Sequence, residues 1–315
     1  MRKINILFSF DNKFWKYAAV SIISVLNNKH PDTLIDVYCM VPHGTSWRAY
    51  RKIKKTVQKF RGCNLIWREI KEIENPFQSW EFKRWSPVIF YRLFVHKIFP
   101  HLNRILYMDS DTMARGDLWD LYNTDIGDNV MAAVQDLALT EEPNNNIGQY
   151  VRCFIKKHIP NGLYINSGIL LINTTKTKEL DDLAIPVGDI DLVLPDQDLI
   201  NMKLAGRIFR LPLKYNFSFA ETFPKNYNQD DIRDAKQNYV VYHFYTRKPF
   251  LLKYENRDVF NFFEKQVNML GWTPTDLIRH ETKFLKKKTH IPGLTISGTD
   301  LKICGITIMR LPQYK

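Results

Sequence analysis

The sequence predicts an α/β fold built on a mostly parallel sheet with helices on both faces, and three observations carry this. Short apolar runs of strand length alternate with stretches whose apolar residues recur at helical spacing. The alternation holds through the first third of the chain, which favours parallel pairing over hairpins. Acidic residues stand immediately after the first and fourth of these runs, where open α/β sheets bind ligands.

The elements follow in order. "INILFSF" (4–10) reads as the first strand, and "FWKYAAVSIISVLNN" (14–28) as a helix with one apolar stripe. "LIDVYCMV" (34–41) is the second strand and "SWRAYRKIKKTVQKF" (46–60) the second helix; "NLIWREI" (64–70) and "RILYM" (104–108) are two more strands. Further on, "NVMAAVQD" (129–136), "GLYINSGILLINTTK" (162–176), "LPDQDLINMKLAG" (194–206) and "YVVYHFYTRKPF" (239–250) supply the remaining elements. The polar stretch 137–161, with "EEPNNN" inside it, reads as a mobile loop or lid. After residue 250 the pattern changes: "DVFNFFEKQVNMLGW" (258–272) is an amphipathic helix, followed by a basic, aromatic tail.

With 315 residues, 45% of them hydrophobic, the chain can bury a substantial core. Lys and Arg outnumber Asp and Glu by 45 to 33, a formal charge of +12, which favours anionic partners such as nucleotide phosphates, nucleic acid or an anionic membrane. Residues 279–315 carry eight Lys or Arg against Glu281 and Asp300, half of that surplus. The excess is concentrated there and no nucleic-acid-binding motif is present, so the expectation is no nucleic-acid partner. Cys39, Cys63, Cys153 and Cys304 are scattered, which signals neither a zinc site nor a disulfide framework and suits a reducing, cytoplasmic compartment. No run approaches the roughly 18 apolar residues of a membrane span, so membrane contact is expected to be peripheral.

"RILYMDSDTMARGDL" (104–118) places Asp109 and Asp111 two positions apart in the turn that leaves a strand, where both approach one cation. Hard oxygen ligands suit Mg²⁺ or Mn²⁺, which bridge protein carboxylates and substrate phosphates. His243, ending "YVVYH", is a candidate third ligand and tilts the choice toward Mn²⁺, because imidazole is the softer donor. An apolar strand followed by Asp-x-Asp also opens the haloacid dehalogenase-like phosphatases, with the first Asp as nucleophile. That alternative wants Thr or Val where Met113 stands, and a downstream acidic pair, for which Asp181/Asp182 and Asp230/Asp231 are the candidates. Singly, each residue also has a plainer reading: His243 as a core histidine, Asp196 as a helix cap, Asn166 as a turn residue.

Taken together and in order, the block "FYRLFVHKIFPHLNRILYMDSDTMARGDLWDLYNTDIGDNVMAAVQD" (90–136), "YINSGILLINTTK", "PDQDLIN", "LPLKYNF" and "HFYTRKPF" resemble the family 8 retaining glycosyltransferases of bacterial surface glycans. The resemblance runs over roughly residues 3–252. It implies a GT-A fold, a Rossmann-like mixed but mostly parallel sheet, as a catalytic domain over 1–255. A small basic C-terminal extension over 256–315 would then contact membrane or acceptor. The implied activity is retaining transfer of galactose or glucose from a UDP-hexose to a surface-glycan or lipid-linked saccharide acceptor. The implied location is the cytoplasm, on the inner face of the plasma membrane, with the tail on an anionic lipid surface.

Carried over by position, the resemblance makes Asp109, Asp111 and His243 the ligands of Mn²⁺, with Mg²⁺ as the substitute, on the donor diphosphate. Ser110 lies between the two acids, and Lys248 adds charge to the same diphosphate. Asp11 contacts the uracil, Ser9 follows the base, and Asn12 or Lys13 takes the ribose. Arg92 reaches across donor sugar and phosphate, with Arg84 as a second donor contact. Asp136, Asn166 and Asp196 bond the transferred sugar, and Gln197 stands on the reacting face of the anomeric carbon with Asp198 beyond it. A neutral amide is a poor nucleophile, so a front-face route, with Gln197 or Asp198 steadying an oxocarbenium-like state, is favoured over double displacement.

Overall fold

The structure, a computed structural model, describes residues 2–75, 86–141, 146–177, 192–219, 223, 227–245, 256–277, 294–297, 300–303 and 306–310. The chain divides into two compact units, Met1–Pro249 and Phe250–Lys315.

In the first unit the predicted alternation is realised. β1 (Arg2–Ser9), α1 (Trp15–Asn28), β2 (Thr33–Pro42), α2 (Trp47–Val57) and β3 (Cys63–Ile70) follow one another. Two single-turn helices, α3 (Val95–Ile98) and α4 (Trp119–Tyr122), flank β4 (Arg104–Met108) and β5 (Thr112–Ala114). Then come β6 (Met131–Gln135), α5 (Leu137–Glu141), α6 (Asn146–His158), β7 (Ile165–Asn173), α7 (Pro195–Lys203), β8 (Ile208–Leu211), α8 (Gln229–Asn238) and β9 (Val241–His243).

Seven strands form one sheet in the order β3-β2-β1-β4-β7-β6-β8. β1 pairs in parallel with β2 and β4, and β2 with β3; β7 runs antiparallel to both β4 and β6. The central strands are apolar on both faces, as a sheet covered by helices requires: from Ile4 to Phe10 only Asn5 and Ser9 are not apolar, and Ile4, Ile6, Leu7 and Phe8 are wholly buried.

β5 and β9 pair antiparallel in a separate two-stranded sheet that sets Thr112 opposite His243. Polar residues in the buried stripe of α1 secure it: Ser21 Oγ lies 3.0 Å from Thr112 Oγ1, Ser24 Oγ accepts Ala114 N–H at 2.9 Å, and Asn28 Nδ2 donates to Ala114 O at 3.2 Å. Those side chains satisfy backbone groups of a strand too short to do so alone.

The 137–161 stretch departs from the expected loop and is mostly helical. Ile147, Tyr150, Val151, Phe154 and Ile155 of α6 recur at helical spacing and pack on the core, a stripe hidden in the sequence by the polar run before it. Residues 142–145 lie outside the described residues.

In the second unit, α9 (Arg257–Met269) starts at Asn256, whose side chain accepts Val259 N–H, and buries Val259, Phe260, Phe263 and Val267. β10 (Leu294–Ser297), β11 (Asp300–Ile303) and β12 (Ile306–Arg310) make an antiparallel meander. Residues 283–288 of the basic tail lie outside the described residues. Among the described residues, no helix is long and apolar enough to cross a membrane.

Candidate functional site

The parallel register brings the ends of β1 and β4 side by side, and Ser110 Oγ, just past β4, donates to Ser9 O at 3.2 Å. Asp109 and Asp111 project from the tight turn between β4 and β5, which Thr112 closes by donating N–H and Oγ–H to Asp109 O. His243 arrives on β9. Its Nε2 lies 3.3 Å from Asp111 Oδ1 and 3.8 Å from Asp109 Oδ2, and one ligand atom from each of the three falls within 4.8 Å of the others. Among the described residues this is the single His/Cys/Asp/Glu group that close.

Neighbouring hydrogen bonds fix the orientation of the imidazole. Gly168 N–H donates to Asn166 Oδ1 at 2.9 Å, so the Asn166 amide must turn its Nδ2 toward Asp136 Oδ2, 3.0 Å away. Asn166 Oδ1 then faces Asn216 Nδ2 at 2.9 Å, which leaves Asn216 Oδ1 to accept from His243 Nδ1 at 2.9 Å. With its proton committed at Nδ1, the imidazole presents the Nε2 lone pair to the two aspartates. Two carboxylates and an imidazole lone pair converging in this way fit a divalent cation.

Arg92 supplies the other support. The residue is 4% exposed; its guanidinium stacks 4.2 Å from the Tyr107 ring centre and donates to Ile89 O (3.0 Å), Ser167 O (2.7 Å) and Asp109 Oδ1 (2.9 Å). Nη1 also lies 3.3 Å from Asp196 Oδ2. Burial alone would lower the Arg92 pKa, but the charges of Asp109 and Asp196 and the Tyr107 oxygen outweigh it and hold it above its ordinary value. Tyr107 O–H donates to the same Asp109 oxygen at 2.6 Å.

Gln197 is held at both ends: Oε1 accepts Ser167 N–H at 2.9 Å and Nε2 donates to Asp136 Oδ2 at 3.1 Å. Ser167 Oγ donates to Asp196 Oδ2 at 3.0 Å. The contacts therefore run Asp109, Arg92, Asp196, Ser167, Gln197, Asp136, Asn166, Asn216 and His243, and the ring is completed where His243 Nε2 faces Asp109 Oδ2 across 3.8 Å, a gap between two acceptors that a cation would bridge. Burial raises the pKa of Asp136 and Asp196; the amides of Asn166 and Gln197 oppose it for the first and the Arg92 charge for the second.

The structure thus brings Asp109, Asp111, His243, Arg92, Asp136, Asn166, Asp196 and Gln197 together. Asp11 and Asn12 stand at the neighbouring strand end, with one Asp11 oxygen accepting Lys13 and Phe14 N–H and Asn12 Oδ1 accepting Ser46 N–H. Asp198 is set apart. It is wholly buried, and its oxygens accept Tyr164 O–H (2.6 Å), Tyr150 O–H (2.9 Å) and Leu194 N–H (2.9 Å), tying α7 to α6 and β7. Arg84 and Lys248 lie outside the described residues.

Sequence reasoning passed over Asn216 and Ser167, although both sit inside the quoted motifs, and gave Gly168 only a turn's role beside Asn166. It also missed Asn201, which bonds both backbone groups of Ile165 and so docks α7 on β7. The phosphatase alternative finds no support: Asp230 pairs with Arg233, Asp231 accepts Leu213 N–H and Tyr227 O–H, and Asp181/Asp182 lie outside the described residues.

Comparison with known proteins identifies the family and the fold. The chain is similar to the lipopolysaccharide 1,2-glucosyltransferase of Escherichia coli K12, 26% identical over 68% of this chain and 62% of the relative. A putative glycosyltransferase of Haemophilus influenzae is 24% identical over 68% of this chain and 63% of its own length, so the chain spans less than two thirds of both relatives. Among solved structures, galactosyltransferase LgtC, in complex with donor and acceptor sugar analogs, superposes with a TM-score of 0.65 at 21% identity, covering 88% of this chain and all of its own. The apo bifunctional glycosyltransferase WbbM gives 0.68 at 18% identity, over 89% of this chain and 52% of that one. The family model described as glycosyl transferase family 8 matches residues 5–251; the chain belongs to that family and has the GT-A fold.

Proposed function

We propose that this chain is a retaining hexosyltransferase that moves galactose or glucose from a UDP-sugar to a saccharide of a bacterial surface glycan. The observation that carries the proposal is the closed ring, which joins a cation-binding triad to the amides and carboxylates that the family pattern assigns to the transferred sugar. The names of the Escherichia coli relatives support a lipopolysaccharide acceptor; its being lipid-linked and handled at the cytoplasmic face of the membrane is part of the proposal.

Asp109, Asp111 and His243 would hold Mn²⁺, or Mg²⁺ in its place, which when bound offsets the negative charge that grows on the UDP leaving group. The remaining work falls to the chain itself. Asp11, Asn12 and Ser9 receive the nucleoside at the end of β1, with Ser110 alongside, and Arg84 and Lys248 complete the donor contacts. Arg92 keeps Asp109 and Asp196 in place and supplies positive charge beside the donor. Asp136, Asn166 and Asp196 orient the hexose. Gln197, clamped by Ser167 and Asp136, presents a fixed amide dipole rather than a nucleophile, which favours front-face transfer in which a UDP oxygen takes the acceptor proton. Asp198 acts as a positioning residue through α7.

The test is release of UDP from a panel of UDP-hexoses in the presence of Mn²⁺. One donor should be hydrolysed slowly without acceptor, and activity should vanish with EDTA and in Asp111→Ala. A protein that releases UDP from none of them, or equally well with EDTA, does not have this function.

A further inference from the structure

Away from the ring, the outer face of α2 stands out by its charge. Residues 47–61 contain Arg48, Arg51, Lys52, Lys54, Lys55, Lys59 and Arg61 and no acid, seven positive charges in a chain whose net charge is +12. At about 100° per residue the apolar positions Ala49, Ile53, Thr56 and Val57 fall together, and all four are buried. The cations of α2 fall on the opposite arc, spanning roughly 160°; Arg48, Arg51, Lys54 and Lys55 are exposed and Lys52 is half-buried, and Lys59 and Arg61 beyond the helix are exposed too. Among the described residues, Arg48, Arg51, Lys54 and Lys55 have no carboxylate partner; Arg51 and Lys54 rest instead on the Trp47 and Tyr50 rings, at 5.0 and 5.3 Å. Burial, with the charges of Lys59 and Lys55, lowers the pKa of Lys52.

A second feature lies at the end of the same face. Trp47 is 60% exposed and Phe14 42% exposed, two of the four large hydrophobic residues that stand in solvent among the described residues. Their segments are joined, because Ser46 N–H donates to Asn12 Oδ1 at 2.8 Å. Exposed indole and phenyl groups beside a flat arc of cations suit a bilayer interface, where rings enter the headgroup region and Lys and Arg meet anionic headgroups. Gln58 is the arc's only neutral polar side chain, and the exposed rings at its N-terminal end favour a bilayer over a nucleic-acid strand.

We propose that the outer face of α2, with Trp47 and Phe14 at its N-terminal end, docks the protein on an anionic lipid surface. This places the contact next to the loop that carries Asp11 and Asn12, so the mouth of the candidate donor site would lie close to the bilayer. Its residues are not those of the basic C-terminal tail, and the proposal does not depend on what the site transfers.

The experiment is co-sedimentation of the full chain with vesicles of phosphatidylglycerol and phosphatidylcholine, against vesicles of phosphatidylcholine alone. Neutralising Arg48, Arg51, Lys54 and Lys55 to glutamine should lower partitioning onto the anionic vesicles at least about tenfold, because each basic residue at the surface adds to the attraction. Unchanged circular dichroism and Tm would show that the variant is folded. Trp47→Ala, which leaves every charge in place, should weaken binding several-fold. Lys286→Gln, Lys287→Gln and Lys288→Gln together report the tail separately. Failure of the wild type to bind anionic vesicles would overturn the proposal, as would wild-type binding by the α2 variant. Release of the wild type from vesicles by an oligonucleotide at lower charge concentration would do so too, by assigning the face to nucleic acid.

Discussion

Replacing Gly168 with alanine tests how closely β7 must approach the imidazole. A Cβ at that position would lie 2.2 Å from His243 Cε1, 2.7 Å from Nδ1 and 3.0 Å from Asn166 Oδ1, so at least one side chain must move by about an ångström. The ring has nowhere to go without loss: it is buried, its Nδ1 is bonded to Asn216, and its backbone is held between β5 and Phe217. Overpacking of this kind costs ~1–3 kcal/mol, and parting His243 from Asn216 leaves two buried polar groups unsatisfied at ~1–3 kcal/mol more. A total near ~4 kcal/mol corresponds to a fall in Tm of about 8–16 °C for a domain of this size. Because the displaced group is a candidate cation ligand, Mn²⁺ affinity measured by calorimetry should fall at least ~10-fold. A Gly168→Ala protein that melts within about 2 °C of wild type and binds Mn²⁺ equally well would refute the packing argument.

Two other perturbations bear on the same network. Asn216→Leu removes the link that sets the His243 tautomer while keeping the volume; Mn²⁺ affinity should fall ~10–100-fold although no ligand has been touched, as calorimetry would show. Asp198→Asn tests the anchor of α7. Burial pushes the Asp198 pKa up from 3.8 to about 6, so the folded state holds its proton over a range where the unfolded state has lost it, and stability falls as pH rises between these values. The ionised group therefore costs up to roughly 3 kcal/mol above pH ~6 and nothing below pH ~4. Asn cannot ionise, so the stability difference between variant and wild type, from urea unfolding at several pH values, should move in the variant's favour as pH rises through that window; a constant difference would contradict the assignment.

Much of this was legible from the residues because the signals were local. Apolar runs bounded by Asp11 and by Asp109 gave β1 and β4 within two residues at each end. Likewise, the stripe in 14–28 foretold α1. What escaped notice depends on contacts between distant segments. Asn216 has no distinguishing neighbour in sequence, and its importance arises from hydrogen bonds to residues 50 and 27 positions away. Asp198 carries the same carboxylate as Asp196 two positions before it, yet helical geometry turns one toward Arg92 and the other toward Tyr150 and Tyr164. Arg92 stands in an apolar run that gives no hint of its partners; two aspartates and a serine carbonyl, all distant in sequence, make its burial tolerable.

The central claim is that Asp109, Asp111 and His243 join a nucleotide diphosphate to the sugar-orienting ring through a divalent cation. Thermal unfolding with UDP, in Mn²⁺ and in EDTA, addresses it most directly, because a ligand that binds only the folded state raises Tm with its occupancy. The account predicts that UDP raises Tm in Mn²⁺ and leaves it unchanged in EDTA, with Asp111→Ala indifferent in both. Equal stabilisation in EDTA, or none in Mn²⁺, would contradict it.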